Sequence, residues 1–131
     1  MNLNRIMTVR IQSKPVNITY VQVYAPTSPT DKKDTEAFYE LLAKTLKDVK
    51  SRDMVVITGD FNANVGFRQH LGEKDLIGTR GIGDRNANGD MLVDFAITND
   101  LKITNTFYQH HPRRLYTWIS PDGNTRNQID Y

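Results

Sequence analysis

The order of hydrophobic and polar positions predicts that the chain opens with two neighbouring strands. Residues 6–13 and 16–24 form the two runs, and the second alternates in a set rich in β-branched and aromatic residues. A turn is expected at residues 13–15, where a proline follows serine and lysine. Residues 25–30 contain two prolines and should end the second strand, because proline has no N–H to donate to a ladder.

A helix is predicted over residues 35–50, because apolar residues recur there at helical spacing. Asp34 precedes this run and is a candidate N-cap. Residues 54–58 follow as a short, continuous apolar strand of the kind that is buried on both faces, and Gly59 is expected to begin a loop. The apolar positions of the helix are Phe38, Leu41, Leu42, Leu46 and Val49.

The second half of the chain predicts loops and shorter elements. Residues 66–89 hold six of the eight glycines and predict a long loop, and a second helix is expected over residues 89–99. Short strands are expected near residues 102–106, 115–119 and 127–131. Strands that alternate with helices in this way indicate one layered α/β domain spanning residues 1–131.

Composition narrows the class of protein. The 131 residues are 38% hydrophobic and 24% charged, and no stretch approaches the ~20 apolar residues of a membrane span. The first residues lack the apolar run of a signal peptide, so an intracellular protein is expected, with the nucleus as one candidate location. There are no cysteines, which excludes disulfides and thiolate chemistry. The net charge of +2 neither indicates nor excludes a nucleic-acid partner.

Asp60 and Asn62 carry the strongest local signal for chemistry. They lie two residues apart where the apolar strand ends, so an extended backbone would place both side chains on one side. A carboxylate could then accept a proton from water, while a carboxamide orients that water or donates to a phosphate. A plain Asx-turn, in which each side chain bonds its own backbone, explains the same residues without function.

Two apparent motifs fail on inspection of their spacing. Residues 84–89 match the beginning of a calcium-binding loop, but the twelfth position, which must supply a bidentate Glu, is Phe95. A turn that leads into the second helix explains them better. The glycines at positions 78, 81 and 83 do not form a dinucleotide fingerprint, because they do not join a strand to a helix at the required spacing.

Several aromatic and basic side chains could meet a phosphate or a base. Arginines pair with phosphates and aromatic rings stack on bases, although the same residues could be solvated or packed on a strand. The pair His110 and His111 has no ligand partners nearby and is interpreted as solvated loop residues. Tyr24, at the end of the second strand, could offer its phenol to a phosphate or be a half-buried core tyrosine. The basic and aromatic cluster is Arg113, Arg114, Tyr116 and Trp118.

Taken together, these segments resemble the endonuclease/exonuclease/phosphatase superfamily, and within it the endonuclease domains of non-LTR retrotransposons and sequences of the craniofacial development protein 2-like group. The resemblance runs over nearly the whole chain, and its order and spacing are more specific than any single motif. The segments that carry it are Val21 to Pro26, Gly59-Asp60-Phe61-Asn62, Gly81 to Gly89, Tyr116-Thr117-Trp118 and Gln128-Ile129-Asp130-Tyr131.

The resemblance implies a DNase I-like two-sheet sandwich with outer helices, and Mg²⁺-dependent hydrolysis of phosphodiesters in DNA. By carry-over, Tyr24 would contact the scissile phosphate and Asp60 would position or deprotonate the attacking water. Asn62 would hold the phosphate or the transition state, and Asp130 would orient a catalytic histidine. Thr117 and its neighbours, the cluster of Arg113, Arg114, Tyr116 and Trp118, would lie near the DNA.

The chain departs from the family pattern at both ends. The family's metal-binding Glu and its partner Asn would precede the first strand, and its Ser-Asp-His element would follow Tyr131, so we expect a domain that is incomplete at both ends. No metal ligand is assigned within residues 1–131, and Mg²⁺ is expected for the complete domain. The leading hypothesis is therefore a part of a nicking endonuclease that is inactive in isolation. The alternative is a non-catalytic remnant of the same fold that binds nucleic acid or another partner, and a third reading changes the substrate to a small phosphodiester.

Overall fold

The computed structural model describes residues 5–27 and 32–131, which form two compact units within Met1–Phe61 and Asn62–Tyr131. Its strands are β1 (Ile6–Ile11), β2 (Ile18–Tyr24), β3 (Met54–Asp60), β4 (Trp118–Ile119) and β5 (Arg126–Asn127). Its α-helices are α1 (Lys32–Lys47) and α2 (Ala87–Thr98). Three short 3₁₀ helices cover Leu71–Glu73, Thr104–Thr106 and Pro112–Arg114.

The first unit is built on a three-stranded sheet in the order β1-β2-β3. β1 pairs antiparallel with β2, and β2 pairs parallel with β3 through the crossover that contains α1. The predicted alternation of β2 is confirmed, and the structure shows that Thr19, Val21 and Val23 are its buried residues. The residues of β3 after Met54 are only half-buried, which differs from the prediction of a strand buried on both faces, because one face of this sheet is open to solvent.

The other face of this sheet is apolar and open to solvent. In-register neighbours on adjacent strands point to the same side, and the exposed large side chains of the three strands therefore share one face. Contiguous apolar patches on a protein surface often mark interaction sites. The side chains are Met7, Val9, Ile11, Tyr20, Tyr24 and Met54.

One carboxylate joins all three strands at the end where β3 begins. Arg10 of β1 donates two hydrogen bonds to Asp53, at 2.5 and 2.9 Å, and Thr19 of β2 donates a third at 2.8 Å. The Arg10 guanidinium holds the pKa of Asp53 below its ordinary value through this hydrogen bond. Because Asp53 directly precedes β3, the three bonds fix where the parallel strand starts.

The helix α1 confirms the predicted element with a shift of three residues at each end. It covers Lys32–Lys47, so Asp34 lies inside its first turn and the N-cap prediction for Asp34 is wrong. An acidic residue still suits that turn, because the helix dipole presents partial positive charge there. Phe38 and Leu42 are buried, as their spacing predicted.

The second unit has little regular structure besides α2. The side chain of Asn86 caps α2 by accepting a hydrogen bond from the Gly89 amide at 2.8 Å, which confirms a turn leading into this helix. An isolated parallel bridge joins Ile77 to Ile103, and β4 pairs antiparallel with β5. The strand predicted near residues 102–106 is wrong, because Thr104–Thr106 forms a 3₁₀ helix after that bridge.

A buried ion pair organises the long loop of the second unit. Arg85 donates to both carboxylate oxygens of Glu73, at 2.7 and 3.0 Å, and the two side chains are only 4% and 5% exposed. Arg85 also donates to the carbonyls of Val65 and Phe67, and Glu73 accepts from the Gln69 amide. Both charges therefore have several hydrogen-bond partners besides each other, which helps a buried pair to persist.

Gly59 was expected to begin a loop, but β3 continues through it to Asp60, so that prediction is wrong. Residues 28–30 of the predicted strand stop lie outside the described residues. None of the helices in the described part of the chain combines the length and the apolar character needed to cross a bilayer.

We predict that Glu73→Gln lowers the free energy of unfolding by about 3 kcal/mol at pH 7, because it leaves the Arg85 guanidinium buried without its counter-charge. The Arg85 hydrogen bond lowers the pKa of Glu73 to about 2 from an ordinary 4.5. The wild-type advantage should therefore be complete above pH 4.5 and shrink as the pH falls toward 2.

Urea denaturation at several pH values measures this difference. Asp75→Asn serves as the control, because Asp75 is exposed and lies only two residues away. A difference between wild type and Glu73→Gln that does not change with pH would contradict the assignment.

Candidate functional site

Tyr24 and Asp60 are brought together at the carboxyl ends of two parallel strands. They are register partners in the β2–β3 ladder, and the Ala25 amide donates to the Asp60 carbonyl at 2.8 Å immediately beyond them. In-register neighbours stand on the same face of a sheet, about 4.8 Å apart along the hydrogen-bonding direction. The phenol and the carboxylate can therefore reach one small ligand, and the Tyr24 side chain is 51% exposed to receive it.

Gly59 is the reason that Asp60 can approach β2 so closely. A Cβ at position 59 would lie 2.0 Å from the carbonyl oxygen of Val23, and the φ angle of +140° is one that L side chains rarely adopt. Only glycine allows both the close approach and this backbone conformation. Gly59 was expected to begin a loop, but its role is steric: it lets β3 approach β2 closely.

Arg5 adds a positive charge that sequence reasoning missed. Its Nη1 donates to the Tyr24 carbonyl at 3.2 Å, and its guanidinium carbon lies 5.5 Å from the centroid of the Tyr24 ring. A guanidinium at this distance interacts favourably with an aromatic face. It also places a cation beside the phenol, where an anionic ligand such as a phosphate would be attracted.

Asn62 does not continue the extended backbone of β3. Its φ angle is +47°, in the left-handed region that asparagine tolerates better than most residues. The expectation that Asp60 and Asn62 share one side depended on an extended chain, and that condition ends at Asp60. The Asn62 carbonyl accepts a hydrogen bond from Asn88 Nδ2 at 2.9 Å, so the conformation is held from α2.

The segment that carries Asp130 is tied to the residues that follow Asn62. The Tyr131 hydroxyl accepts from the Val65 amide and donates to the Gln128 carbonyl, both at 3.1 Å. Burial raises the pKa of Tyr131 to about 12, so this phenol stays protonated and able to donate. The structure therefore places Asp130 on a segment anchored to the loop that Asn62 begins.

Thr117 has a role in the structure besides the one expected of it. Its hydroxyl accepts from the Ile129 and Asp130 amides at 3.0 and 3.2 Å, and its own amide donates to the Asn127 carbonyl. Thr117 thus holds the backbone that presents Asp130. A contact with DNA remains a prediction for this residue.

The basic and aromatic cluster lies on consecutive surface elements of the second unit. Arg113 and Arg114 belong to the Pro112–Arg114 turn of 3₁₀ helix, which His111 caps through its Nδ1. Both arginines are exposed, and neither forms a salt bridge with a described residue. Trp118 is 41% exposed on β4, whereas Tyr116 is half-buried. Positive charge and an accessible ring are both available there for a polyanionic partner.

The described residues do not form a metal site. Over residues 5–27 and 32–131, no three His, Cys, Asp or Glu side chains come together closely enough to hold an ion. Mg²⁺ is coordinated almost entirely by oxygen, usually with one or two carboxylates. Asp60 is the one carboxylate in the β2–β3 ladder at the Tyr24 end of the sheet, so the described residues do not by themselves fit the expected ion.

Comparison with known proteins finds relatives over almost the whole chain. Craniofacial development protein 2 of Bos taurus is 44% identical over 128 residues, and the match covers 98% of this chain and 21% of that protein. The protein of the same name from Tragulus javanicus is 43% identical, with 98% and 22% covered. This chain therefore spans about a fifth of the curated relatives that it matches. No model of a known protein family matches it.

A solved structure shares the fold. The endonuclease domain of TRAS1, a telomere-specific non-LTR retrotransposon, superposes with a TM-score of 0.63 at 20% sequence identity, and the match covers 97% of this chain and 46% of that one. The α/β class is confirmed by this neighbour, and the two-sheet sandwich stays a prediction. Sequence similarity to craniofacial development protein 2 and the fold shared with the TRAS1 endonuclease domain both support the DNase I-like assignment that the sequence predicted.

Proposed function

We propose that this chain supplies part of the active site of a DNA endonuclease, and that the whole protein hydrolyses phosphodiesters with Mg²⁺ in retrotransposon-type nicking. The observation that carries the proposal is the register pairing of Tyr24 with Asp60 at the carboxyl ends of β2 and β3. Crevices at such strand ends are where open α/β sheets bind their ligands. The isolated chain is proposed to be inactive, with DNA as the partner and the nucleus as the location of the whole protein.

Asp60 and Tyr24 have complementary parts in the proposed reaction. The Asp60 carboxylate orients the attacking water and accepts its proton as the oxygen approaches phosphorus. The Tyr24 phenol donates to a non-bridging phosphate oxygen, whose charge grows in the transition state. Arg5, held against Tyr24, attracts the phosphate to this end of the sheet.

Asn62 and Asp130 keep the roles that the family resemblance gives them. The Asn62 carboxamide would hold the phosphate or the transition state, since an amide can both donate and accept. Asp130 would orient a catalytic histidine by accepting its ring N–H, which fixes the tautomer. Thr117 supports this proposal because its hydroxyl holds the Asp130 amide.

Mg²⁺ would supply charge stabilisation at the phosphate when bound. Among residues 5–27 and 32–131 no set of ligands for this ion is assembled, so the roles proposed for Asp60, Tyr24 and Asn62 do not depend on it. The DNA itself would be held by Arg113, Arg114, Tyr116, Thr117 and Trp118, with arginines on phosphates and the exposed ring against a base or sugar.

A non-catalytic function of the same fold is the second candidate. The two exposed arginines and Trp118 could bind nucleic acid with no chemistry at Asp60, because phosphate contacts need only accessible positive charge. The two functions differ in what they require of Asp60, so substitution of Asp60 distinguishes them.

We predict that Asp60→Ala in the whole protein lowers Mg²⁺-dependent nicking of supercoiled plasmid by about 10³-fold, because the attacking water loses its base. Asp75→Ala, which removes an exposed carboxylate, should nick as wild type does. Equal nicking by Asp60→Ala and wild type would refute the endonuclease proposal. DNA binding without any nicking by the wild-type protein would establish the non-catalytic alternative instead.

Tyr24→Phe should lower kcat for nicking by about 10²-fold with little change in KM, because the lost phenol acts mainly on transition-state charge. Tyr20→Phe is the matched control, since Tyr20 lies on the same face of the same strand and is 37% exposed. Single-turnover rates and KM values for both variants measure the split. A change in KM alone would show that Tyr24 only binds the substrate.

Replacing Arg113 and Arg114 together by alanine should weaken DNA binding at every sequence and lower the slope of log Kd against log salt by about 2, one for each phosphate contact. The control pair is Lys44→Ala with Lys47→Ala, which removes two exposed charges from the last turn of α1. Fluorescence anisotropy over a range of salt concentrations gives both slopes. An unchanged slope in the arginine variant would place the DNA elsewhere.

A further inference from the structure

Residues 85–88 lie along residues 62–65 in an antiparallel arrangement built mostly from side chains. Arg85 Nε donates to the Val65 carbonyl at 2.9 Å. Asn86 exchanges two bonds with residue 64, since its Oδ1 accepts from the Asn64 amide and its own amide donates to the Asn64 carbonyl, both at 3.1 Å. Asn88 Nδ2 donates to the Asn62 carbonyl at 2.9 Å. Arg85, Asn86 and Asn88 thus bond in turn to residues 65, 64 and 62.

The two segments are held at close range by glycine and by a buried charge. A Cβ at Gly89 would lie 1.8 Å from the Asn64 carbonyl oxygen, so no larger residue allows this approach. At the other end Arg85 is locked by its ion pair with Glu73. The hydrogen-bond donors of Arg85, Asn86 and Asn88 are therefore held in fixed positions against residues 62–65.

Capping of α2 explains Asn86 but not Asn88. The Oδ1 of Asn86 accepts from the Gly89 amide and so begins the helix. Asn88 is already within α2, where asparagine has a low helix propensity, and its side-chain amide bonds outside the helix. The bond that it makes acts on Asn62 alone.

The direction of the Asn62 carbonyl defines the orientation of the peptide group between Asn62 and Ala63. Asn62 has a φ angle of +47°, a conformation that is costly for a residue with a side chain. A donor placed on its carbonyl stabilises this conformation and sets the direction of the Cα–Cβ bond. A misplacement of about 1 Å in a catalytic group can cost 10²-fold in rate.

We infer that Asn88 is a positioning residue for nicking, which acts by holding the Asn62 backbone so that the carboxamide of Asn62 meets the phosphate. The inference deepens the proposed function and rests on it. It also assigns a role to a residue of the 84–89 segment, which resembles the beginning of a calcium-binding loop but lacks the required Glu.

Asn88→Asp separates positioning from stability. The carboxylate is isosteric with the amide but cannot donate to the Asn62 carbonyl. An acidic residue in the first turn of a helix is favourable. We expect kcat for nicking by the whole protein to fall by about tenfold or more and KM to change by less than about twofold. The unfolding midpoint should change little, because the favourable charge in the first turn of the helix offsets part of the lost bond to Asn62.

Asn99→Asp is the matched control at the other end of the same helix. Asn99 Nδ2 donates to the Phe95 carbonyl at 2.8 Å, so the substitution removes an equivalent amide–carbonyl bond. A negative charge there opposes the helix dipole, so this variant should be less stable than wild type. Its kcat should nevertheless match wild type, because the bond does not reach Asn62. Wild-type kcat in Asn88→Asp, with nicking abolished in Asp60→Ala, would overturn the inference and leave the endonuclease proposal standing.

The NMR signal of the Ala63 amide tests the positioning independently of catalysis. That amide shares its peptide group with the Asn62 carbonyl, so losing the Asn88 bond should shift its resonance in Asn88→Asp and not in Asn99→Asp. An unshifted Ala63 signal in Asn88→Asp would overturn the inference whatever the nicking assay shows. If the wild-type protein does not nick at all, the proposed function fails and this signal alone decides whether Asn88 holds Asn62.

Discussion

The backbone that follows β3 must find hydrogen-bond partners outside a sheet, and the organisation of the second unit depends on how it does so. Residues 62–65 leave the ladder at Asp60, and peptide groups removed from water are costly when they stay unpaired. Asn88, Asn86, Arg85 and Tyr131 supply the partners for this stretch. The start of α2 and the Asp130 segment are consequently both anchored to the same four residues.

The Gly-Asp-Phe-Asn motif therefore contains two residues that are held by different means. Asp60 is positioned by the sheet, where Gly59 permits a close approach and Tyr24 is its register partner. Asn62 is positioned by the amide of Asn88. A substitution far from Asp60 in the sequence can thus disturb Asn62 while leaving the strand that carries Asp60 intact. A loss of activity on substitution at the start of α2 can therefore come from displacement of Asn62 and not from a loss of stability.

The elements with strong periodicity were predicted well. The alternation of β2 and the apolar stripe of α1 correspond to the observed burial, because each repeats within one element. The predictions failed where contacts between elements overrode the conformational preference of a single residue or short segment. Gly59 lies inside β3 because a glycine suits close strand approach as well as a loop. The strand expected near residues 102–106 is a single bridge followed by a 3₁₀ helix, since Ile103 meets only Ile77.

The sequence by itself determined the order of the main elements, the alternation of β2 and the residue types available for phosphate chemistry, because these follow from spacing between near neighbours. Only the tertiary structure decided which side chains meet. Arg5 reaches Tyr24 across 19 positions, Asn88 reaches Asn62 across 26, and Tyr131 reaches Val65 across 66. Such contacts depend on how whole elements pack, and periodicity within an element carries no information about the distance between two of them.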